Sequence, residues 1–194
     1  MKSFNIRTFV AVSVFSAGAY LLMMLNFPLP PFPNFLLVDF SDIPALVAAL
    51  LYGPFAGVFV ELLKNVLNYF LVGSATGVPI GQIANFTAGV AFILPVSYIY
   101  RRAASKKGML LGLAAGTATM ALVMSVLNYY VFLPAYTLFL GAPAMSAPET
   151  KALVISAILP FNAAKGVLMA VVFMLLFLRL RPWLQKQAVA RRAA

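Results

Sequence analysis

The 194-residue chain contains no cysteine and no histidine, and only four of its residues are acidic. Without cysteine there is no disulfide, no thiol nucleophile and no thiolate metal site. Without histidine the commonest general base and metal ligand is gone as well. The scarcity of carboxylates leaves Glu61 alone well inside an apolar stretch, which argues against an acidic relay for cation coupling. No Gly-x-x-x-x-Gly-Lys-Ser/Thr phosphate loop is present, so the chain does not itself hydrolyse ATP in the usual way. Nor is there an internal repeat, a low-complexity tract or a second domain. These absences remove thiol, imidazole and phosphate-loop chemistry, and the expectation is a non-enzymatic chain forming a single membrane domain spanning 1–194.

What the chain has is apolar surface. It is 63% hydrophobic and 9% charged, the composition of an integral membrane protein. The apolar runs are continuous rather than alternating, which favours helices over a β-barrel. The formal charge of +10 suggests nucleic acid until its placement is considered. Most of the basic residues fall in three clusters: Lys2 and Arg7; Arg101, Arg102, Lys106 and Lys107; and Arg179, Arg181, Lys186, Arg191 and Arg192. The positive-inside rule places all three in the cytoplasm, against lipid rather than nucleic acid. An even number of crossings must then separate successive clusters. The short run ending at Tyr52 is therefore needed as a crossing, short or tilted. The expected fold is an all-α bundle of six transmembrane helices over about 8–27, 42–52, 54–72, 79–100, 108–140 and 150–179, with both termini cytoplasmic. The first helix is read as retained rather than as a cleaved signal, because Asn26-Phe27-Pro28-Leu29-Pro30-Pro31 stops it without a small-residue cleavage pattern.

The connecting segments follow from turn chemistry. Four prolines between Pro28 and Pro33 predict a stiff, extended external loop over 28–40. Ser41 or Asp42 is a candidate cap for the next helix, with Pro44 in its first turn. A cytoplasmic loop is expected at 101–107, a longer outer loop from Gly141 to Glu149, and a basic C-terminal tail at 180–194.

Depth counting collects the polar residues. Measured from the basic anchors at 1.5 Å per residue, Lys165 lies about 21 Å from the inner face, Asn85 about 24 Å, Asn162 about 25 Å, Gln82 about 28 Å and Asn128 about 31 Å. Five polar side chains on three helices thus share one slab in the outer part of a core about 30 Å thick. Gln82 and Asn85 are three apart, as are Asn162 and Lys165, so each pair shares a helix face. Asn128 is followed by Tyr129 and Tyr130, which offer ring faces, and Asp39 lies on the same external side. Amides both donate and accept while lysine only donates, a set suited to a neutral, planar, heteroatom-rich solute. A single buried asparagine is more often glue between helices than a ligand contact. An ionised lysine near a helix centre costs about 2.5–3.5 kcal/mol and needs a polar reason to be there. Glu61 and Lys64 are spaced to pair on one helix, and spacing leaves open whether that pair is structural or binds ligand. On the first helix Ser13 and Ala17, four apart among small residues, permit close helix approach, either to a partner or within the bundle.

Taken in order, several segments resemble one family. They are Asp39-Phe40-Ser41-Asp42-Ile43-Pro44-Ala45-Leu46, Tyr52-Gly53-Pro54, Leu63-Lys64-Asn65, Gly81-Gln82-Ile83-Ala84-Asn85-Phe86, Asn128-Tyr129-Tyr130 and Pro160-Phe161-Asn162-Ala163-Ala164-Lys165-Gly166. The chain resembles the riboflavin-specific substrate-binding (S) component of energy-coupling factor (ECF) transporters from roughly Arg7 to Arg179. Gln82 departs from the glutamate expected there, keeping an acceptor and adding donors.

The resemblance implies a multi-pass protein of the bacterial plasma membrane. It captures riboflavin with high affinity and works with a transmembrane coupling (T) component and two ATP-binding-cassette ATPases. Riboflavin enters as substrate, with no catalytic cofactor and no metal. The implied ligand-binding set is Asp39, Gln82, Asn85, Asn128, Tyr129, Asn162 and Lys165. Asn128, Asn162 and Lys165 would meet the uracil-like edge of the flavin, and Gln82, Asn85 or Asp39 its ribityl hydroxyls. Ser13 and Ala17 match the family's coupling-protein motif loosely. Competing readings are an S component for another vitamin, a stand-alone facilitator or ion-coupled carrier, and a scaffold whose polar slab is glue.

Overall fold

The computed structural model describes residues 6–141 and 143–193, with side chains placed as far as residue 180. Lys2 of the first basic cluster and the side chains of Arg181, Lys186, Arg191 and Arg192 lie outside that description.

Six helical rods account for most of the chain. Helix α1 spans Ile6–Met24, α2 Asp42–Tyr52, α3 Pro54–Val72 and α4 Ile80–Ala103. Helix α5 runs Lys106–Leu140 and α6 starts at Ala147, its backbone staying helical to Ala193 through the segment expected as a tail. Among the described residues five helices are long and apolar enough to cross a bilayer, and α2 is the exception.

Helix α2 has 11 residues, about 16 Å at the usual rise and too short for the hydrocarbon core. It is instead the centre of the bundle, packed by α1, α3, α4 and α6. Ala45, Leu46, Ala48 and Ala49 are fully buried, so small side chains bring the surrounding helices close. The chain ahead of the helix folds in against the bundle, where Asp39 and Ser41 are buried. A similar close approach joins α4 and α5 at Gly116, where a Cβ would meet the Phe92 carbonyl oxygen at 2.5 Å.

The connections differ from expectation in four places. The loop over 28–40 doubles back instead of running extended, its ends paired in a small antiparallel ribbon, β1 Phe27–Pro28 against β2 Leu37–Val38. Ser41 precedes α2 without capping it, because its hydroxyl is taken by a lysine described below. The turn after α4 is only Ala104 and Ser105, with the Ser105 hydroxyl accepting the Gly108 N–H at 3.0 Å. At the other end Ser146 and Glu149 form a capping box that starts α6 at Ala147, shortening the outer loop.

Two rods contain a π-helical turn, at Asn128–Phe132 in α5 and Val154–Ile158 in α6. Each immediately precedes a Leu-Pro pair, Leu133-Pro134 and Leu159-Pro160. Proline cannot donate to the carbonyl four residues back and its ring crowds that carbonyl, so the preceding turn widens. The Leu133 N–H accordingly donates to the Asn128 carbonyl and the Leu159 N–H to the Val154 carbonyl, five residues back.

Candidate functional site

A cavity of about 440 Å³ opens at the end of the bundle that carries the 25–41, 73–79 and 141–146 connections. The turn of Arg101 and Arg102 lies at the opposite end. The size falls in the range that holds drug-sized ligands. Five helices and the ribbon supply the walls. Much of the lining is apolar, including Met23, Leu36, Leu37, Met124, Leu133 and Phe161.

Six of the seven ligand residues proposed above border this cavity: Asp39, Gln82, Asn85, Asn128, Asn162 and Lys165. Tyr129 does not, and its ring packs edge-on against Tyr130 at 4.7 Å. On α5 the lining tyrosine is Tyr136 instead, and the π-turn explains why. Lining residues on α5 fall at Met124, Asn128, Leu133, Tyr136 and Leu140, and the five-residue step after Asn128 crosses the widened turn. Depth counting on an ideal helix carries no such phase shift. Asn68, on α3, was also missed, because that helix has no basic anchor at its end from which to measure depth.

The amides are held by their nitrogen ends. Asn128 Nδ2 donates to the Met124 carbonyl at 2.7 Å and Asn162 Nδ2 to the Ile158 carbonyl at 2.8 Å. Each bond spends one N–H on the residue's own helix and keeps the amide fixed beside the cavity. Asn85 Nδ2 reaches Asp39 Oδ2 at 3.4 Å, and Asn85 Oδ1 accepts from Asn65 Nδ2 at the same distance.

Lys165 is 4% exposed, and Asp39 Oδ2 faces its Nζ at 3.7 Å. That separation is an ion pair without a hydrogen bond, so three ammonium donors remain for a solute. Burial pushes the Asp39 carboxyl up, but Lys165, Lys64 and the Ser41 amide together hold it below its ordinary value of 3.8. Asp39 is therefore a carboxylate at neutral pH. The ribbon covers this region, with Phe32 packed edge-on against Phe161 at 5.6 Å.

Lys64 has a different environment. It is fully buried, donating to Asp42 Oδ1 at 2.5 Å and Ser41 Oγ at 2.6 Å, with Glu61 Oε2 at 2.8 Å. Neither Lys64 nor Glu61 borders the cavity. Their cluster ties α3 to the start of α2 and, through the Ser41 N–H on Asp39 Oδ1 at 2.8 Å, to the floor of the site. On α1, Ser13 and Ala17 lie on the exposed face, while Val12, Ser16, Ala19 and Met23 face the bundle. Packing within the bundle therefore does not account for the Ser13–Ala17 pair.

A membrane bundle with a fixed set of amide and ammonium groups around an apolar cavity and, among the described residues, no reacting constellation has the form of a solute-capturing transport subunit. The chain belongs to the family described as ECF transporter, substrate-specific component, whose model it matches over residues 7–177. It is 50% identical to the riboflavin transporter FmnP of Bacillus subtilis (strain 168), over 96% of this chain and 98% of that one. With the riboflavin transporter RibU of Staphylococcus aureus (strain TCH60) the identity is 40%, over 93% of both chains. A solved S component of a bacterial ECF transporter superposes with a TM-score of 0.77 at 39% identity, covering 92% of this chain and 97% of that one. The protein is thus a multi-pass membrane protein with the six-helix S-component fold.

Proposed function

We propose that the protein captures riboflavin in this cavity and serves as the substrate-binding subunit of an ATP-driven ECF vitamin transporter in a bacterial plasma membrane. The observation that carries the reading is that Lys165, Asn162 and Asn128 all line one apolar-walled cavity of about 440 Å³. The flavin ring system is planar and largely apolar, with carbonyl acceptors and one N–H donor along its uracil-like edge. Lysine donors match the carbonyls, and amides match both the carbonyls and the N–H. Gln82, Asn85 and Asp39, which line the same cavity, suit the hydroxyls of the ribityl chain. The names of the two relatives point to the same vitamin.

The chain performs no chemistry on its cargo. Release into the cell draws on ATP hydrolysed by two ATPase partners and transmitted by a T component docked on the exposed small residues of α1, Ser13 and Ala17. By the positive-inside rule the three basic clusters support a cytoplasmic side for both termini and for Arg101 and Arg102, with the cavity directed outward. The test is spectroscopic. Protein purified from cells carries flavin absorbance, and the stripped protein binds riboflavin stoichiometrically in detergent while folate, thiamine and pantothenate fail to compete. Purified protein that stays colourless and leaves riboflavin fluorescence unquenched overturns the reading.

A further inference from the structure

Gln82 differs from the other amides of the cavity in having both of its N–H groups engaged. Its Nε2 donates to Asn68 Oδ1 at 3.0 Å and to the Gly73 carbonyl at 2.9 Å. A main-chain carbonyl can only accept, so the orientation of the Gln82 amide is settled by Gly73 and extended to Asn68. Gly73 is turned to present that carbonyl by a backbone of φ 86° and ψ −166°, a conformation essentially restricted to glycine. The consequence falls on the other end of the amide. Gln82 Oε1 is buried and has no hydrogen-bond partner, in a residue that lines the cavity. A buried acceptor left without a donor costs about 1–3 kcal/mol, so a solute that brings an O–H or N–H to this atom is favoured over one that does not.

We infer that Asn68 is a positioning residue: with Gly73 it clamps the Gln82 amide nitrogen so that Oε1 stands as a fixed acceptor for a hydroxyl of the solute's polyol chain. The clamp makes this side of the cavity read a donor. It also explains a neutral amide at position 82, since a carboxylate there would face two acceptors, Asn68 Oδ1 and the Gly73 carbonyl. This inference rests on the riboflavin reading.

The experiment compares two ligands on the same preparations: riboflavin, and lumiflavin, in which a methyl group replaces the polyol. Detergent-solubilised wild type, Asn68→Ala and Asn68→Asp are titrated with both by fluorescence quenching. Because both ligands meet the same sample, any loss of folded fraction cancels from the ratio of affinities. Asn68→Ala is expected to weaken riboflavin about tenfold, the loss of one hydrogen bond, while lumiflavin changes less than about twofold. Asn68→Asp keeps an oxygen facing Gln82 Nε2 and is expected to restore most of the riboflavin preference. Equal losses for both ligands, or no loss for either, overturn the assignment of Asn68. Wild type that binds neither flavin overturns the riboflavin reading, and this inference with it.

Discussion

The two buried lysines are chemically identical, yet their surroundings assign them opposite roles, and replacing each with methionine separates them. Methionine approximates the length of the lysine side chain without the charge. For Lys64→Met, the loss is the common partner of Asp42, Glu61 and Ser41. Asp42 Oδ2 and Glu61 Oε1 have no donor and Glu61 Oε2 has only the Lys64 ammonium at 2.8 Å, so two carboxyl groups lose their common cation in the bundle core. Breaking a buried pair in this way costs about 3–5 kcal/mol. For Lys165→Met, Asp39 keeps the Ser41 N–H at 2.8 Å and Asn85 Nδ2 at 3.4 Å, and the lost ion pair was only a 3.7 Å approach. The stability cost is then nearer the ~1–1.5 kcal/mol of a single weak interaction. Affinity reverses the order. Losing a charged donor to the flavin costs about 1.5–3 kcal/mol, or roughly 10- to 150-fold in Kd. Thermal melting of ligand-free protein in detergent, paired with riboflavin titration, reads both quantities. Lys165→Met with wild-type affinity would refute the site. Lys64→Met with an unchanged melting temperature would refute the structural role of its cluster.

Other expectations follow from single contacts. Gly89→Ala places a Cβ against the Glu61 carboxylate, and the displaced Glu61 loses its 2.8 Å approach to Lys64. Overpacking of this kind costs about 1–3 kcal/mol, which lowers the melting temperature by roughly 2–12 °C. Asp39→Asn removes a carboxyl whose folded pKa is below its ordinary 3.8. A depressed pKa contributes stability that is complete above the unfolded value and is lost as pH falls through the folded one. Melting curves of wild type and Asp39→Asn should therefore differ at neutral pH and converge at pH well below 3.8; a constant offset would contradict the argument. Ser13→Leu with Ala17→Leu changes only the exposed face of α1. Riboflavin affinity and melting temperature should hold while the T component is lost from the purified complex, and retention of that component would remove α1 from the docking surface.

Much of the architecture was readable because bilayer physics writes it in coarse symbols. A span needs about 20 apolar residues and basic residues mark one side, so helix number follows from hydropathy and parity. Parity even required the short run before Gly53, although neither length nor hydropathy did. Polar residues in such spans are expensive enough that Lys165 and Asn162 announced themselves. What stayed hidden depended on pairwise geometry. The Ser41 hydroxyl had two possible partners, a helix end and Lys64, and only the packing of α3 against α2 decides between them. Tyr129 stood out in sequence by following Asn128 and Tyr136 did not, and the helical phase between them turns on a backbone bond five residues long. Asn68 looked like an ordinary polar residue near a helix end until Gln82 was found beside it.

The two π-turns make the walls of the cavity depend on chain length as well as on residue identity. Each holds one residue more than the α-turn it replaces. Where α5 closes as a regular helix after the loss of one residue from 129–132, everything beyond is rotated by about 100° and drawn in by about 1.5 Å. Leu133, Tyr136 and Leu140 would leave the cavity together, and a different row of side chains would take their place, while Asn128 and the helices packed below it stayed put. One codon lost or gained beside a Leu-Pro pair is thus a route by which this scaffold can exchange a whole face of its binding site in one step, without repacking the bundle that supports it.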